Sequence, residues 1–427
     1  MGGGPKRTGV ENMPMAGRGV NERVVIIGAG HAGTSAAIQL RSLGFAGTID
    51  LVGEEPHIPY HRPPLSKAWL LGKAGDETIA LKPASFYAEQ AISLQVGCRV
   101  DGIDRVAQRV SLNNGQQIPY DWLIVATGSR ARRLPWALAG GSHLYELRTR
   151  SDAEALRQAL QPGKRVLIVG AGYIGLEGAA SARARGASVV VIERENRVLA
   201  RVASEAVSAF FQRYHADRGV RFRFNESITQ LLVRGSPPTC EVSFDRGIQE
   251  QADLVLVGVG AVPNQELGAA CGLHCDDGII VDQQTRTSDA RIFAIGDCSR
   301  RPLQLYERTG RLESVANALE QARLAAHTIC DAPAPVHEVP WFWSDQYDLK
   351  LQIAGLSFDV GLHVTRGDPS SARFAVFHLN GAGQLQAVEA VNAAPEFLAG
   401  RKLIASRRVL DPHALADAST SIKEIAA

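Results

Sequence analysis

Long apolar runs are missing from this chain of 427 residues. No stretch approaches the ~18 residues that a membrane-spanning helix needs, so no span is expected. A surplus of one charge is missing too: 46 Lys and Arg stand against 44 Asp and Glu, a formal net charge of +2. Non-specific nucleic-acid binding needs a concentrated basic surface, and this balance argues against it. Residues 1–20 are Gly-rich and polar and lack the apolar core of a secretory signal. They read as a disordered tail, with Met13 and Met15 as alternative starts. Cysteine is sparse, with six residues scattered at 98, 240, 271, 275, 298 and 330. That pattern, with no export signal, fits a reducing cytoplasm. Only Cys271 and Cys275 lie close together and no second pair follows, so plain loop thiols are favoured over a metal or disulfide site, and no metal is expected. No Cys-x4-Cys pair is present to act as a redox dithiol.

What is present is ordinary in bulk: 45% hydrophobic and 21% charged residues, as in a globular protein. The length exceeds a single core, so two or three domains are expected. The informative stretch is Arg23-Val-Val-Ile-Ile-Gly28-Ala-Gly30-His-Ala-Gly33. Val24 to Ile27 read as a buried parallel strand, and a helix is expected from Ala32 to Leu43. Gly28, Gly30 and Gly33 then have distinct tasks: a tight turn, backbone approach to a pyrophosphate, and close packing of helix on strand. The pyrophosphate sits on the free N–H groups at the helix start. A second strand, Thr48 to Val52, leads to Glu54, 21 residues after Gly33, where a carboxylate can hold ribose hydroxyls.

The same pattern returns at Arg165-Val-Leu-Ile-Val-Gly170-Ala-Gly172-Tyr-Ile-Gly175, followed by a helix over 174–185, a strand over 188–192 and Glu193. Two such units imply two dinucleotides, one held and one visiting, which suits passing a hydride. Glu193 favours a free 2′-hydroxyl and hence NADH, while Arg194 and Arg197 beside it could weaken that preference by pairing with a phosphate.

Between the units, residues 55–71 read as an ordered loop with a short helix from Pro64. Its one lysine, Lys67, is an ordinary surface residue on general grounds, but it directly follows a dinucleotide unit. Residues 92–120 alternate as short strands with a turn at Asn113-Asn114-Gly115. A buried strand from Trp122 ends near Gly128, and the arginines of 130–133 with Pro135 read as a linker. Further buried strands are expected at 254–260 and at Ile292 to Asp297, then a long helix over 313–330. Beyond Pro335 come an aromatic cluster, Trp341 to Tyr347, strands at 349–355, 372–379 and 384–392, and a final helix from Pro395. The aromatics are expected mainly as core.

Read together, Val-Gly-Glu54-Glu, Arg62-Pro-Pro-Leu-Ser-Lys67, Ala-Thr127-Gly128, Gly170-Ala-Gly172-Tyr173-Ile-Gly175-Leu-Glu177, Ile-Gly-Asp297-Cys, Glu-Ser-Val315-Ala-Asn-Ala-Leu-Glu-Gln-Ala and Trp-Phe-Trp343-Ser-Asp-Gln-Tyr occur in order. From about residue 22 onward the chain resembles the FAD-containing, NADH-dependent ferredoxin reductases of bacterial oxygenase systems. The resemblance implies an α/β protein of the glutathione-reductase fold type, with two dinucleotide-binding (Rossmann-like) domains and a C-terminal α+β interface domain. After the tail (1–20), the FAD domain is split over 21–133 and 264–335, the NADH domain occupies 134–263 and the interface domain 336–427. It further implies Lys67 near flavin N5, Arg62, Thr127 and Gly128 lining the flavin domain, Asp297 on the ribitol and the Val315 backbone at the pyrimidine. Tyr173 gates the nicotinamide, Glu177 touches it, and Trp343 lies near the flavin on the partner side. Lys67 and Glu177 are expected to pair. The Cys271/Cys275 pair and His31 depart from the family pattern.

The activity so implied is hydride uptake from NADH on FAD and single-electron delivery to a [2Fe–2S] ferredoxin, with neither nucleic acid nor membrane as partner and a monomer or homodimer in the cytoplasm. Three rivals remain: a rubredoxin reductase; an NADH oxidase or disulfide reductase, disfavoured by the missing dithiol; and a flavoprotein of the apoptosis-inducing-factor type acting through partners, disfavoured by the small net charge.

Overall fold

The computed structural model describes residues 19–134, 143–235, 239–247 and 249–427. The expected tail up to residue 18 and the linker at Pro135 lie outside the described residues. The strand Arg23–Ile27 is almost wholly apolar because it is covered on both faces, with Val24, Val25 and Ile26 fully buried. It sits at the centre of a parallel sheet ordered Ile292–Ala294, Trp122–Val125, Arg23–Ile27, Thr48–Gly53, Ile92–Val96. Residues from both halves of the chain therefore build one sheet. The helix His31–Ser42 packs on it, and Ala36, Ala37 and Leu40 share a core with Ala322, Ala325 and Ala326 of the helix Val315–Ile329.

A second parallel sheet runs Val220–Phe224, Ser188–Glu193, Arg165–Val169, Leu254–Val257, Leu144–Tyr145. Its first helix is Tyr173–Ala184. An antiparallel ribbon, Ser129–Ala131 against Ala261–Pro263, connects the two units. The third layer is a five-stranded antiparallel sheet ordered Trp341–Gln346, Leu349–Gly355, Leu385–Val391, Arg373–Asn380, Val360–Asp368, backed by the helix Ala394–Ser406. The architecture is thus α/β with two dinucleotide-binding units and a C-terminal α+β domain. Among the described residues no helix is long and apolar enough to cross a membrane.

Several local expectations change. The helix expected from Pro64 is a single 3₁₀ turn, Pro63–Ser66, because the backbone of Lys67, at φ −126° and ψ −106°, leaves the helical region. The strand expected over 254–260 stops at Val257, where Gly258 and the positive φ of Gly260 bend the chain. The segment Ile92–Val96 joins the parallel sheet rather than a hairpin. The aromatic cluster expected as core is instead the edge strand Trp341–Gln346, with Trp341, Phe342 and Trp343 only partly buried. An edge strand at a cavity rim leaves one side of each ring without protein to cover it.

One excursion positions the site. The loop after Thr48–Gly53 leaves its own unit: Leu65, Trp69 and Leu70 share a core with Leu156, Leu176 and Ala179 of the second unit and Leu349 and Leu351 of the third layer. Ser181 donates to the Ser66 carbonyl at 2.6 Å and Arg185 to that of Leu70 at 3.0 Å. Apolar burial drives this docking, and the two polar ties set its register.

Candidate active site

The carboxyl ends of the first parallel sheet open onto a cavity of about 1390 Å³ whose walls come from all three layers. Gly28 and Gly30 line it after the first strand, Glu54 after the second, Thr127 and Gly128 after Trp122–Val125, and Asp297 after Ile292–Ala294. This edge is where open α/β sheets bind ligands. Arg62 and Lys67 enter from the docked loop, Tyr173 and Glu177 from the second unit, Val315 from a helix start and Trp343 from the edge strand.

The glycines separate by cause. A Cβ on Gly28 would lie 2.2 Å from the Ala126 carbonyl oxygen, and one on Gly33 1.9 Å from that of Gly28, so the fold itself demands both. Gly170 and Gly175 repeat this, at 2.5 Å from the Gly258 oxygen and 1.9 Å from the Gly170 oxygen. Gly30 and Gly172 differ, with no atom within 4 Å of the place a Cβ would take and with φ of −80° and −77°. Nothing in the chain requires glycine there, so the open space fits an external group resting against backbone at a helix N-terminus, as a pyrophosphate does. Both units fit a dinucleotide by this test. Gly33, Gly170, Gly172, Gly175 and Glu193 lie outside the lining of the large cavity.

The two acids expected at the second strands are not equivalent. Register makes Gly53, not Glu54, the counterpart of Glu193, since Val52 and Ile192 occupy matching positions beside Ile27 and Val169 in their own sheets. Glu193 accepts from the Ala171 N–H at 2.7 Å and the Glu195 N–H at 2.9 Å. At Gly53 a Cβ would press on Ala29 at 2.8 Å, and the exposed carboxylate comes one residue later. Arg197 is spent on the carbonyls of Ala200 and Ala203, while Arg194 is exposed.

Glu177 is the hub. Its Oε2 accepts from Ser66 Oγ at 2.5 Å and Lys67 Nζ at 2.6 Å, and its Oε1 from Ser344 Oγ at 2.6 Å. It is 4% exposed, and Lys67 is 22% exposed. Four residues earlier on the same helix face, Tyr173 packs against Phe342 with ring centres 4.4 Å apart and planes tilted by 38°, and donates to the Val202 carbonyl. Burial first, then the Glu389 and Glu177 carboxylates, push the Tyr173 hydroxyl pKa up and keep it protonated.

Asp297 Oδ2 accepts from Ser129 Oγ at 2.9 Å and Arg148 at 2.8 Å. Thr127 is tied to Asn264, donating to its carbonyl at 2.7 Å. Arg62 bonds Glu55 at 2.7 Å and the Arg148 carbonyl at 2.8 Å. Burial alone would raise the Glu55 carboxyl, but the Arg62 charge and the Tyr60 hydroxyl outweigh it and hold it low. His31, on the cavity wall, meets His61 at 3.1 Å, and burial, with His61 and Arg62 adding to it, pushes it down to about 4. Val315 opens its helix behind the Ser314 cap. Ser66, Arg148, Phe342 and Ser344 were not legible in the sequence as site residues, although Ser66 lies within the motif at 62–67 and Phe342 and Ser344 within that at 341–347.

Cys98, Cys240, Cys271, Cys275 and Cys298 form no disulfide. Burial pushes the thiol of Cys240 up to about 11 and raises those of Cys271 and Cys275, which leaves them poor nucleophiles. Among the described residues no cluster of His, Cys, Asp and Glu is arranged to hold a metal.

Two strand–glycine–helix units that both send side chains into one cavity define a class. Residues 22–322 match the pyridine nucleotide-disulphide oxidoreductase family and 341–426 the reductase C-terminal family; the chain belongs to the former and is an oxidoreductase that uses FAD and NADH. It is 45% identical over 410 residues to the probable ferredoxin reductase CtmF of Castellaniella defragrans, covering 95% of this chain and 99% of that one. It is 41% identical to putidaredoxin reductase CamA of Pseudomonas putida, covering 95% and 97%. The crystal structure of the covalent putidaredoxin reductase–putidaredoxin complex matches with a TM-score of 0.92 at 41% identity, over 95% of this chain and 98% of that one.

Proposed function

We propose that the chain is an NADH-dependent ferredoxin reductase serving a cytochrome P450 or Rieske-type oxygenase through a [2Fe–2S] ferredoxin. The observation that carries this reading is the meeting of all three layers at one cavity: glycine cradle and Lys67 from the first, Tyr173 and Glu177 from the second, Trp343 from the third. Bound FAD supplies the exchange between the two-electron donor NADH and the one-electron acceptor.

The chain's residues bind, orient and exclude water. In this reading residues 21–133 and 264–335 hold FAD, with Gly30 at its pyrophosphate, Gly28 and Gly33 shaping the turn and helix packing that present it, Glu54 at its ribose, and Arg62, Thr127, Gly128, Asp297 and Val315 along its length. Residues 134–263 hold NADH through Gly170, Gly172, Gly175 and Glu193. Tyr173 covers the nicotinamide place and gives way to it, and Glu177 holds Lys67 where the two cofactors meet. Residues 336–427 present Trp343 towards the ferredoxin. The sparse, scattered cysteines support a cytoplasmic protein, and it works as a monomer or homodimer.

Stopped-flow reduction with NADH, followed by cytochrome c reduction with and without added [2Fe–2S] ferredoxin, tests the reading. Rapid flavin bleaching and strong ferredoxin dependence are expected. Activity with rubredoxin alone, or full turnover with oxygen or a disulfide, would replace it.

A further inference from the structure

The edge strand of the C-terminal sheet does more than face a partner. Alternate residues of a strand share a side, and Phe342, Ser344 and Gln346 all turn towards the second dinucleotide unit. Phe342 meets Tyr173, Ser344 Oγ lies 2.6 Å from Glu177 Oε1, and Gln346 Oε1 lies 2.8 Å from Nε2 of His215, on the helix Glu205–Ala216. Gln346 Nε2 in turn lies 3.1 Å from Ser344 Oγ. Ser344 and His215 are 0% exposed and Gln346 is 1% exposed, so water does not compete for these bonds.

The carboxylate end fixes the direction of every bond. An ionised carboxylate only accepts, so at this distance the Ser344 hydroxyl must donate to Glu177. Its proton is then committed, and the Gln346 amide must supply an N–H to the Ser344 oxygen. That turns the Gln346 carbonyl to His215, whose Nε2 must carry the proton. His215 Nδ1 has no hydrogen-bond partner among the described residues. Burial pushes the imidazole down to about 4, in keeping with a neutral ring. Three donors in series therefore point at one carboxylate oxygen, while Ser66 and Lys67 occupy the other.

We propose that Ser344, backed by Gln346 and His215, is a positioning residue of the hydride-transfer site: the C-terminal domain aims the Glu177 carboxylate and thereby the Lys67 ammonium. This rests on the proposed function, in which Glu177 acts where nicotinamide and flavin meet. With both carboxylate oxygens held from different domains, the plane of the group cannot swing. Without Ser344 one oxygen is buried with no donor, and the group turns to seek another.

The test is a double-mutant cycle in the holoenzyme, read by anaerobic flavin reduction with NADH. S344A is expected to slow reduction about tenfold, the scale of one lost hydrogen bond to a charged group, and S344T to recover most of it. In an E177A background S344A should change the rate by less than about twofold, because non-additivity marks residues that act through one another. Ferredoxin reduction by chemically reduced S344A should match wild type. An S344A rate equal to wild type, or the same loss in both backgrounds, overturns the proposal. An E177A enzyme with an unchanged rate would instead show that the reading of Glu177 has failed. Side-chain nitrogen NMR of the oxidised wild-type holoenzyme gives an answer even if S344A does not fold. A neutral His215 protonated on Nε2 is expected, and a proton on Nδ1 breaks the donor series and overturns the proposal.

Discussion

Lys67 Nζ and Glu177 Oε2 lie 2.6 Å apart, although 110 residues separate them in the chain. The pair joins two dinucleotide units at the floor of their shared cavity. A positive charge there favours a reduced, anionic flavin, so Lys67→Ala is expected to lower the flavin potential and slow its reduction by NADH. Glu177→Ala is expected to slow reduction by up to ~100-fold through misplacement of the nicotinamide. Potentiometric titration and stopped-flow bleaching check both, and a Lys67→Ala enzyme with wild-type potential and rate would remove the pair from the mechanism.

Gly30 and Gly33 have opposite reasons to be glycine. A Cβ at Gly30 has no atom beyond its chain neighbours within 4 Å, whereas one at Gly33 meets a carbonyl oxygen at 1.9 Å. Gly30→Val is expected to purify as a folded apoprotein whose Tm is close to that of wild-type apoprotein and which does not retain FAD. Gly33→Val is expected to fold poorly with or without FAD. A yellow, fully loaded Gly30→Val protein would show that the pyrophosphate lies elsewhere.

Cofactor choice rests on Glu193, whose carboxylate is anchored by the Ala171 and Glu195 N–H groups. A fixed negative charge repels a 2′-phosphate, so kcat/KM for NADH should exceed that for NADPH by at least ~10-fold, about 1.4 kcal/mol. Glu193→Gln keeps an acceptor for the backbone but removes the charge, and should narrow the ratio. With Arg197 occupied by carbonyls, equal use of both nucleotides by wild type would point to Arg194.

His215 links stability to pH. Its pKa is about 4 in the folded chain and ~6.5 when unfolded. Between those values the unfolded chain holds a proton that the folded chain does not, so stability falls as pH drops from about 6.5 towards 4. At pH 5 the loss from this one group is about 2 kcal/mol. His215→Gln, which retains a donor towards Gln346, should reduce the fall in Tm between pH 7 and pH 5. An unaltered pH profile would show that His215 takes up its proton normally in the folded state.

Much of this protein was legible in short windows of its sequence. Strand, glycine triplet, helix and second strand follow one another within about 30 residues, and each requirement is local: β-branched residues for a strand buried on both faces, glycine where backbone must turn or approach. The two units and the α/β class follow from that alone. Only the tertiary structure could decide which side chains share the site. Register made Gly53 rather than Glu54 the counterpart of Glu193, and an edge position turned Trp341, Phe342 and Trp343 from core to cavity wall. The partners of Glu177 come from Ser66, Lys67 and Ser344 because apolar residues of a proline-rich loop dock on a foreign unit while a third sheet closes over it. Such meetings leave no periodicity in the chain, since they arise from packing between segments more than a hundred residues apart.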